Sequence, residues 1–388
     1  MKILITSDWY RPAVNGVVTS VVNLKEQLEA KGHEVRVLTL AQTRHSEQEG
    51  NVWYIPSIGA GKIYPGARAA AGSGGRFVSE MVEWKPDVVH SQCEFATFRF
   101  AKQIARKTGA KFLHTYHTVY EDYTHYFSPS PSAGRKAAAA FSRMILNQTD
   151  GVIVPTEKVR RLLEGYGVKK PLYTVPSGID CGQFAREREK TGCKALDAQI
   201  LITVGRLARE KNIGEILNWL ADPRGAAYRY LIVGDGPCRS ELETQAKRLG
   251  IRDRVFFAGM VRPEEVPAWY QKGRVFVSAS ESETQGLTYL EALAAGIPAV
   301  CRKDACLEGV IQNGRNGWQY ETREEFFDAL ETLAVPEIYR RISKGAVWTA
   351  GSFDQTVFAE KILEVYQACG EKEEMIWRLY PDQRRLCG

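Results

Sequence analysis

Short apolar runs separated by stretches of helical spacing constrain this chain more than any other feature. Lys2–Thr6, Glu34–Leu40, Val88–His90, Lys111–His114 and Gly151–Val154 form one series of runs. Gln199–Val204, Tyr230–Val233, Val255–Phe257, Val275–Val277 and Pro298–Cys301 form a second. Between the first two runs, Val17–Lys31 has helical spacing and stops at Gly32. Strands that alternate with helices predict parallel sheets with crossover helices. The expected fold class is α/β, with two doubly wound, Rossmann-like domains, and 388 residues are enough for two cores. Pro176–Ala198 is richer in glycine, charge and turn residues and is expected to be the linker. The domains are placed at 1–177 and 178–365, with a C-terminal helix at about 366–388 packing back onto the first. Sheets of this kind bind ligands outside the carboxyl ends of their strands, so a ligand cleft is expected between the two domains.

Composition narrows the functional classes. Lysine and arginine number 52 against 46 acidic residues, a net charge of +6. That excess suits anionic substrates or an anionic membrane surface rather than nucleic acid. No run approaches the roughly 20 apolar residues of a membrane span, and Met1–Ile5 leads directly into a strand pattern, so a cytoplasmic location is expected. The eight cysteines form no Cys-x-x-Cys pair and have no histidine cluster beside them, which argues against a zinc site or a disulfide framework.

The stretch 281–298, Glu-Ser-Glu-Thr-Gln-Gly-Leu-Thr-Tyr-Leu-Glu-Ala-Leu-Ala-Ala-Gly-Ile-Pro, carries the most chemistry. It follows the apolar run at Val275–Val277 and opens a helix at about Gly286–Leu287. Free N–H groups at a helix start attract an anion such as a diphosphate. Glu283 falls just before the helix and Glu291 one turn inside it. Carboxylates beside an anion repel it, so these two are expected to accept hydrogen bonds from hydroxyls. A pocket for an anion flanked by hydroxyl acceptors suits a nucleotide sugar, although acids at a helix start also serve as plain dipole partners.

Other segments add to this. Arg206 and Lys211, in Gly205-Arg206-Leu207-Ala208-Arg209-Glu210-Lys211, follow the first strand of the second series and are placed to clamp a pyrophosphate. Gly234-Asp235-Gly236-Pro237 reads as turn chemistry. Asn15-Gly16-Val17 lies between the first strand and first helix; Gly16 is the one glycine between Met1 and Lys31, and no acid closes the second strand, so a nicotinamide-binding fingerprint is excluded. A single glycine still allows close approach to a phosphate. His114–Tyr126 holds three of the six histidines, four tyrosines and two acids. Its histidine spacing does not match a helical metal motif; it suits either hydroxyl recognition or aromatic packing. Ser132–Asn147, with Arg135, Lys136 and Arg143 beside Phe141, Met144 and Ile145, fits a membrane-surface helix and an ordinary surface helix equally well.

Taken together, Asn15-Gly16-Val17, His117, the Gly205–Lys211 loop and the Glu283/Glu291 pair resemble retaining glycosyltransferases of family four, with the GT-B fold, along nearly the whole chain. Tyr116–Tyr123 and Ser282–Tyr289 resemble the bacterial 1,2-diacylglycerol 3-glucosyltransferases within it. The resemblance implies transfer of a hexose, glucose from UDP-glucose, to 1,2-diacylglycerol at the inner face of the cell membrane. It implies catalytic roles for His117, Arg206, Lys211 and Glu283. Gly16, Val261, Arg262, Thr284, Gln285, Gly286, Leu287 and Glu291 would bind the donor, with Glu291 on the ribose. Asn15, Tyr120, Glu121, Asp122 and Tyr123 would bind the acceptor, and Arg135, Lys136 and Arg143 would face the membrane. No cofactor or metal is implied, in keeping with the lack of an Asp-x-Asp sequence. Ser91 and Cys93 are two departures, at positions where the subgroup more often has an apolar residue and threonine, and residues 66–75 are less basic than expected for a lipid-docking face. Another acceptor (an inositol phosphate, a polyol or a polysaccharide) and a UDP-sugar epimerase are the alternative readings.

Overall fold

The structure, a computed structural model, describes residues 1–61, 67–72, 74–121, 130–191 and 199–369. It divides into two compact units, Met1–Pro176 together with the chain from Thr356, and Ser177–Gln355.

The first unit carries β1 (Lys2–Ser7), α1 (Gly16–Ala30), β2 (Glu34–Leu40), β3 (Glu47–Glu49), β4 (Val52–Ile55), β5 (Ser57–Gly59), β6 (Arg68–Ala70), α2 (Gly75–Trp84), β7 (Val88–Ser91), α3 (Ala96–Thr108), β8 (Lys111–Thr115), α4 (Pro131–Leu146), β9 (Gly151–Val154), α5 (Glu157–Gly165) and β10 (Leu172–Thr174). Its main sheet runs β10-β9-β8-β7-β1-β2-β4-β3, parallel except for β3, while β5 and β6 form a separate antiparallel ribbon. Side chains alternate across a strand, so β1 needs cover on both sides. Ile3 and Ile5 pack with Val18, Val21 and Leu28 of α1, whereas Leu4 packs with Val78 and Met81 of α2 and Phe98 and Ile104 of α3. All three strand residues are fully buried, each worth up to about 1.5–3 kcal/mol. This two-sided cover is why the strand reads as an unbroken apolar run.

The second unit carries α6 (Cys181–Thr191), β11 (Gln199–Val204), α7 (Ile213–Leu220), β12 (Tyr228–Val233), α8 (Arg239–Arg248), β13 (Val255–Gly259), α9 (Val266–Tyr270), β14 (Val275–Ser278), α10 (Leu287–Ala294), β15 (Ala299–Arg302), β16 (Gly317–Tyr320), α11 (Arg323–Ala334) and α12 (Pro336–Gly351). Its sheet is fully parallel in the order β13-β12-β11-β14-β15-β16. At α11 a capping box holds the start: Thr322 accepts from the Glu325 N–H at 3.2 Å, and Glu325 accepts from the Thr322 N–H at 3.3 Å.

Two expectations about boundaries change. The expected linker contains a helix, α6, whose Phe184 packs on Tyr270 with ring centroids 5.8 Å apart and whose Arg188 donates to the Ala294 carbonyl at 2.9 Å. Its charge run lies on a helix rather than in a turn: Arg186, Glu189 and Lys190 are exposed, while Arg188 reaches the packed side. The chain rejoins the first unit at Thr356, ten residues before the expected 366. There α13 (Gln355–Ala368) sets Phe358, Ile362, Val365 and Tyr366 into the same core as Ile3, Val35, Val88 and Leu113. Tyr366 also bonds the buried His90 (Oη to Nδ1, 2.8 Å), whose Nε2 meets Thr115 Oγ1 at 2.7 Å. The expected helix beyond residue 369 lies outside the described residues. Among those described, no helix is long and apolar enough to cross a membrane.

Candidate functional site

In the second unit β11 and β14 are neighbours although β12 and β13 intervene in the chain. A parallel sheet takes ligands beside the carboxyl ends of its strands where the order reverses in this way. The loops that leave these strands, 205–212 and 279–286, are tied together. The Ser280 hydroxyl and the Glu281 N–H both donate to the Glu210 carbonyl at 3.3 Å. Lys211 Nζ donates to Glu283 Oε1 at 2.5 Å, with only 27% and 10% of the two side chains exposed. The pair sums to zero charge, so Glu283 beside a diphosphate brings no net repulsion. Just after Lys211 the backbone turns through Asn212 in the left-handed region, φ +46°. Asn212 donates to Glu215 at 3.1 Å and Glu281 at 3.4 Å, and Glu215 is ion-paired with Arg302. Arg206, half-buried, opens the same loop. A Cβ on Gly234 would lie 1.9 Å from the Gly205 carbonyl oxygen, so the loops after β11 and β12 meet backbone against backbone. Gly234-Asp235-Gly236 is thus a steric requirement of the site as well as a turn.

Gly286 begins α10 in the left-handed region, φ +75°, and no side chain caps the helix. Thr284 and Leu287 are half-buried at this helix start. One turn in, Glu291 Oε2 accepts from Tyr270 Oη at 3.0 Å, and burial pushes its carboxyl up to about 7. Two expected donor contacts have other partners for their side chains. Gln285 is buried and bridges the Ser177 backbone, accepting from its N–H at 2.8 Å and donating to its carbonyl at 2.9 Å. Arg262 is exposed and pairs with Glu265 at 2.6 Å. The resemblance assigns donor contact at these positions to the backbone rather than to the side chains. Val261 is half-buried against the core.

In the first unit the order reverses between β1 and β7. After β1, Asn15 caps α1 through Oδ1, which accepts the Val18 N–H at 3.0 Å, and Gly16 is exposed at the first helical position. After β7 come Gln92 and Glu94, both buried. After β8 comes His117, whose Nε2 is 2.7 Å from Gln92 Oε1. Burial first, then the charge of His114, pulls the His117 imidazole down to about 3, so it is neutral. Glu94 accepts from Tyr120 Oη at 2.5 Å and lies 3.2 Å from His114 Nε2. Glu121 accepts from Tyr166 Oη at 2.8 Å. The polar ends of Tyr120 and Glu121, both expected acceptor contacts, therefore already meet protein groups. Asp122 and Tyr123 lie outside the described residues. On α4, Arg135, Lys136 and Arg143 are exposed, while Ala138, Ser142 and Leu146 are buried.

Comparison with known proteins gives the family and the fold. A model of Glycosyltransferase Family 4 matches residues 14–183, and one of Glycosyl transferases group 1 matches residues 185–346. The alpha-monoglucosyldiacylglycerol synthase of Streptococcus pneumoniae is 34% identical over 87% of this chain and 80% of the relative. That of Acholeplasma laidlawii is 33% identical over 94% of this chain and 96% of the relative. This chain belongs to glycosyltransferase family 4. Its fold is GT-B, as in the solved sucrose-phosphate synthase of Thermosynechococcus elongatus, which has a TM-score of 0.72 at 21% identity and covers 94% of this chain and 98% of its own.

Within this family 4 chain, sequence reasoning gave no site role to Gln92 or Glu94 and read His114 only as part of the polar segment His114–Tyr126. The signal was present: a buried strand that ends in Gln-Cys-Glu rather than in small turn residues places polar groups where the sheet order reverses. The two departures acquire a local account. Ser91 Oγ donates to the Cys93 carbonyl at 2.9 Å, and Cys93 Sγ lies 3.5 Å from Ser7 Oγ, which fixes the turn carrying Gln92.

Proposed function

We propose that this family 4 glycosyltransferase moves glucose from UDP-glucose to 1,2-diacylglycerol at an anionic membrane surface, the inner face of the cell membrane, with retention of anomeric configuration and without a metal. The observation that carries this reading is the Lys211–Glu283 pair beside the uncapped start of α10, where the second sheet reverses. The names of the two relatives support the glucosyl donor and the diacylglycerol acceptor.

In this reading the diphosphate meets the N–H groups at the start of α10, and Glu291 accepts from the ribose hydroxyls. The C1–O bond of glucose breaks as the diphosphate leaves. Charge then grows on the departing oxygen, and Lys211 and Arg206 oppose it, which stabilises the transition state more than the ground state. Glu283 holds the sugar, and the family resemblance alone assigns His117 a sugar contact. The acceptor oxygen bonds to C1 from the face that the diphosphate leaves, and its proton passes to a departing phosphate oxygen. The exposed cations of α4 bring the enzyme to anionic lipid.

The test is UDP-glucose turnover with anionic vesicles containing diacylglycerol, with the product identified by mass and anomeric NMR. An α-glucosyl diacylglycerol, formed equally with EDTA present, is expected. A β product, loss of turnover in EDTA, or transfer only to a water-soluble acceptor overturns the corresponding part. Conversion of the UDP-sugar without any acceptor identifies an epimerase instead.

A further inference from the structure

We infer that Gln92 is a positioning residue for His117: its side-chain carbonyl takes the imidazole Nε2 proton and keeps the lone pair on Nδ1, ready to accept from a sugar hydroxyl. The inference rests on the reading of His117 as a contact to the donor sugar.

Gln92 is held from both sides of the chain. It continues β7, and its N–H donates to the Thr6 carbonyl at 2.8 Å, across the point where the first sheet reverses. The Ser91–Cys93 and Cys93–Ser7 contacts fix the turn that follows. With its backbone fixed, the side chain has little freedom, and only 2% of the residue is exposed. Oε1 meets His117 Nε2 at 2.7 Å, a short distance for an N–H to a carbonyl. The amide nitrogen is buried with no hydrogen-bond partner among the described residues.

That second observation matters most. An unsatisfied buried N–H costs about 1–3 kcal/mol, and an apolar side chain of the same length would avoid the loss. What glutamine adds at this position is one acceptor oxygen directed at the ring. A neutral imidazole has one N–H and one lone pair, and the partner of one nitrogen decides the state of the other. Gln92 Oε1 accepts and cannot donate, so Nε2 carries the hydrogen. Nδ1 has no protein partner among the described residues and is left as the acceptor. The same logic orients metal-bound histidines through their outer hydrogen bonds.

The test compares Gln92→Met and Gln92→Glu with the unaltered enzyme. Glutamate also accepts from Nε2, whereas methionine fills the space without accepting. In nitrogen-15 NMR of the unaltered protein, a slowly exchanging imidazole N–H assigned to His117 Nε2 is expected. It persists in Gln92→Glu and is lost to exchange in Gln92→Met. Turnover in Gln92→Met falls in kcat by about ten- to a hundredfold, the scale seen for outer partners of ligating histidines, with little change in the donor KM. Gln92→Glu stays within about threefold of the unaltered rate. A proton on Nδ1 in the unaltered protein, or an unchanged signal and kcat in Gln92→Met, overturns the inference. If Gln92→Met fails to fold, Gln92→Glu decides: folded, active and with the N–H retained supports it, and folded but inactive sinks it. If the unaltered enzyme turns over no UDP-glucose, the proposed function fails, and the imidazole signal alone then tests the pairing.

Discussion

The second unit gathers charge at the point where its sheet reverses, whereas the first unit gathers mostly uncharged polar groups around one buried glutamate at its own. Lys211, Glu283, Arg206 and Glu291 come from two loops and a helix start, with the Lys211–Glu283 ion pair among them. In the first unit burial holds His90 and His117 neutral, and Glu94 is engaged by Tyr120 and by His114. Under the proposed reaction the difference fits a division of labour. A leaving diphosphate changes charge as the reaction proceeds and calls for charges that answer it. Sugar and acceptor hydroxyls do not change charge until late, and calls for fixed donors and acceptors meet them best.

The largest test of this contrast is removal of the charges. Lys211→Ala and Glu283→Ala are each expected to lower kcat by about 10²–10³, the scale of a lost transition-state contact, whereas Tyr120→Phe in the first unit lowers stability by about 1–3 kcal/mol by leaving the Glu94 carboxylate short of a donor. Turnover and denaturant unfolding separate the two effects. Equal losses of kcat in all three variants would break the division.

Gly234→Ala asks whether the charged loops depend on the backbone contact beneath them. The residue has φ +131° and no room for a Cβ. A loss of about 1–3 kcal/mol from the backbone conformation alone is expected, with the clash adding to it, read as a lower melting temperature. A melting curve unchanged by the substitution removes the steric account.

Acidity sharpens the contrast further. Glu291 carries a carboxyl raised to about 7. If the proposed ribose contact holds, hydroxyl donors favour its charged form and lower that value on binding, so UDP binding is expected to release a proton below about pH 7. Above about 7 the affinity is flat; as pH falls below 7 the carboxyl protonates and affinity drops by up to about tenfold per unit. Calorimetry from pH 5.5 to 8.5 reads this, and Glu291→Gln flattens the curve. His117, held at about 3, adds no titration in that window. The smallest effect concerns α4. Replacing Arg135, Lys136 or Arg143 singly by alanine is expected to weaken binding to anionic vesicles by about 1 kcal/mol each, an effect that vanishes with uncharged lipid and fades with salt.

These two halves also differed in how plainly the sequence announced them. The charged half is local: Gly205–Lys211 and Glu283–Glu291 are short segments that each follow a strand, so position along the chain nearly gives position in space. The helix start at Leu287 fell within a residue of its expected place because Gly286 in the left-handed region stops any earlier turn. The neutral half is built across strands. Gln92 and His117 are 25 residues apart, and nothing in either segment alone names the other. Tyr120 and Glu121 lie in a polar aromatic segment of a kind that serves both recognition and packing, and the sequence does not show their hydrogen bonds to Glu94 and from Tyr166. The α6 segment was misread because a helix with one charged face has the composition of a loop. Short edge elements such as β10 and β16 gave too few residues for a pattern.

Because α13 belongs to the first core, that half of the molecule is discontinuous, with α13 synthesised some 180 residues after β10. On the ribosome, Ile3, Val35 and Leu113 must wait for Phe358 and Ile362 while the entire second half emerges and folds in between. Until then the newborn amino-terminal portion shows water an open seam, with His90 lacking its tyrosine partner. A nascent chain arrested before residue 355 is therefore the form of this enzyme most in need of a chaperone.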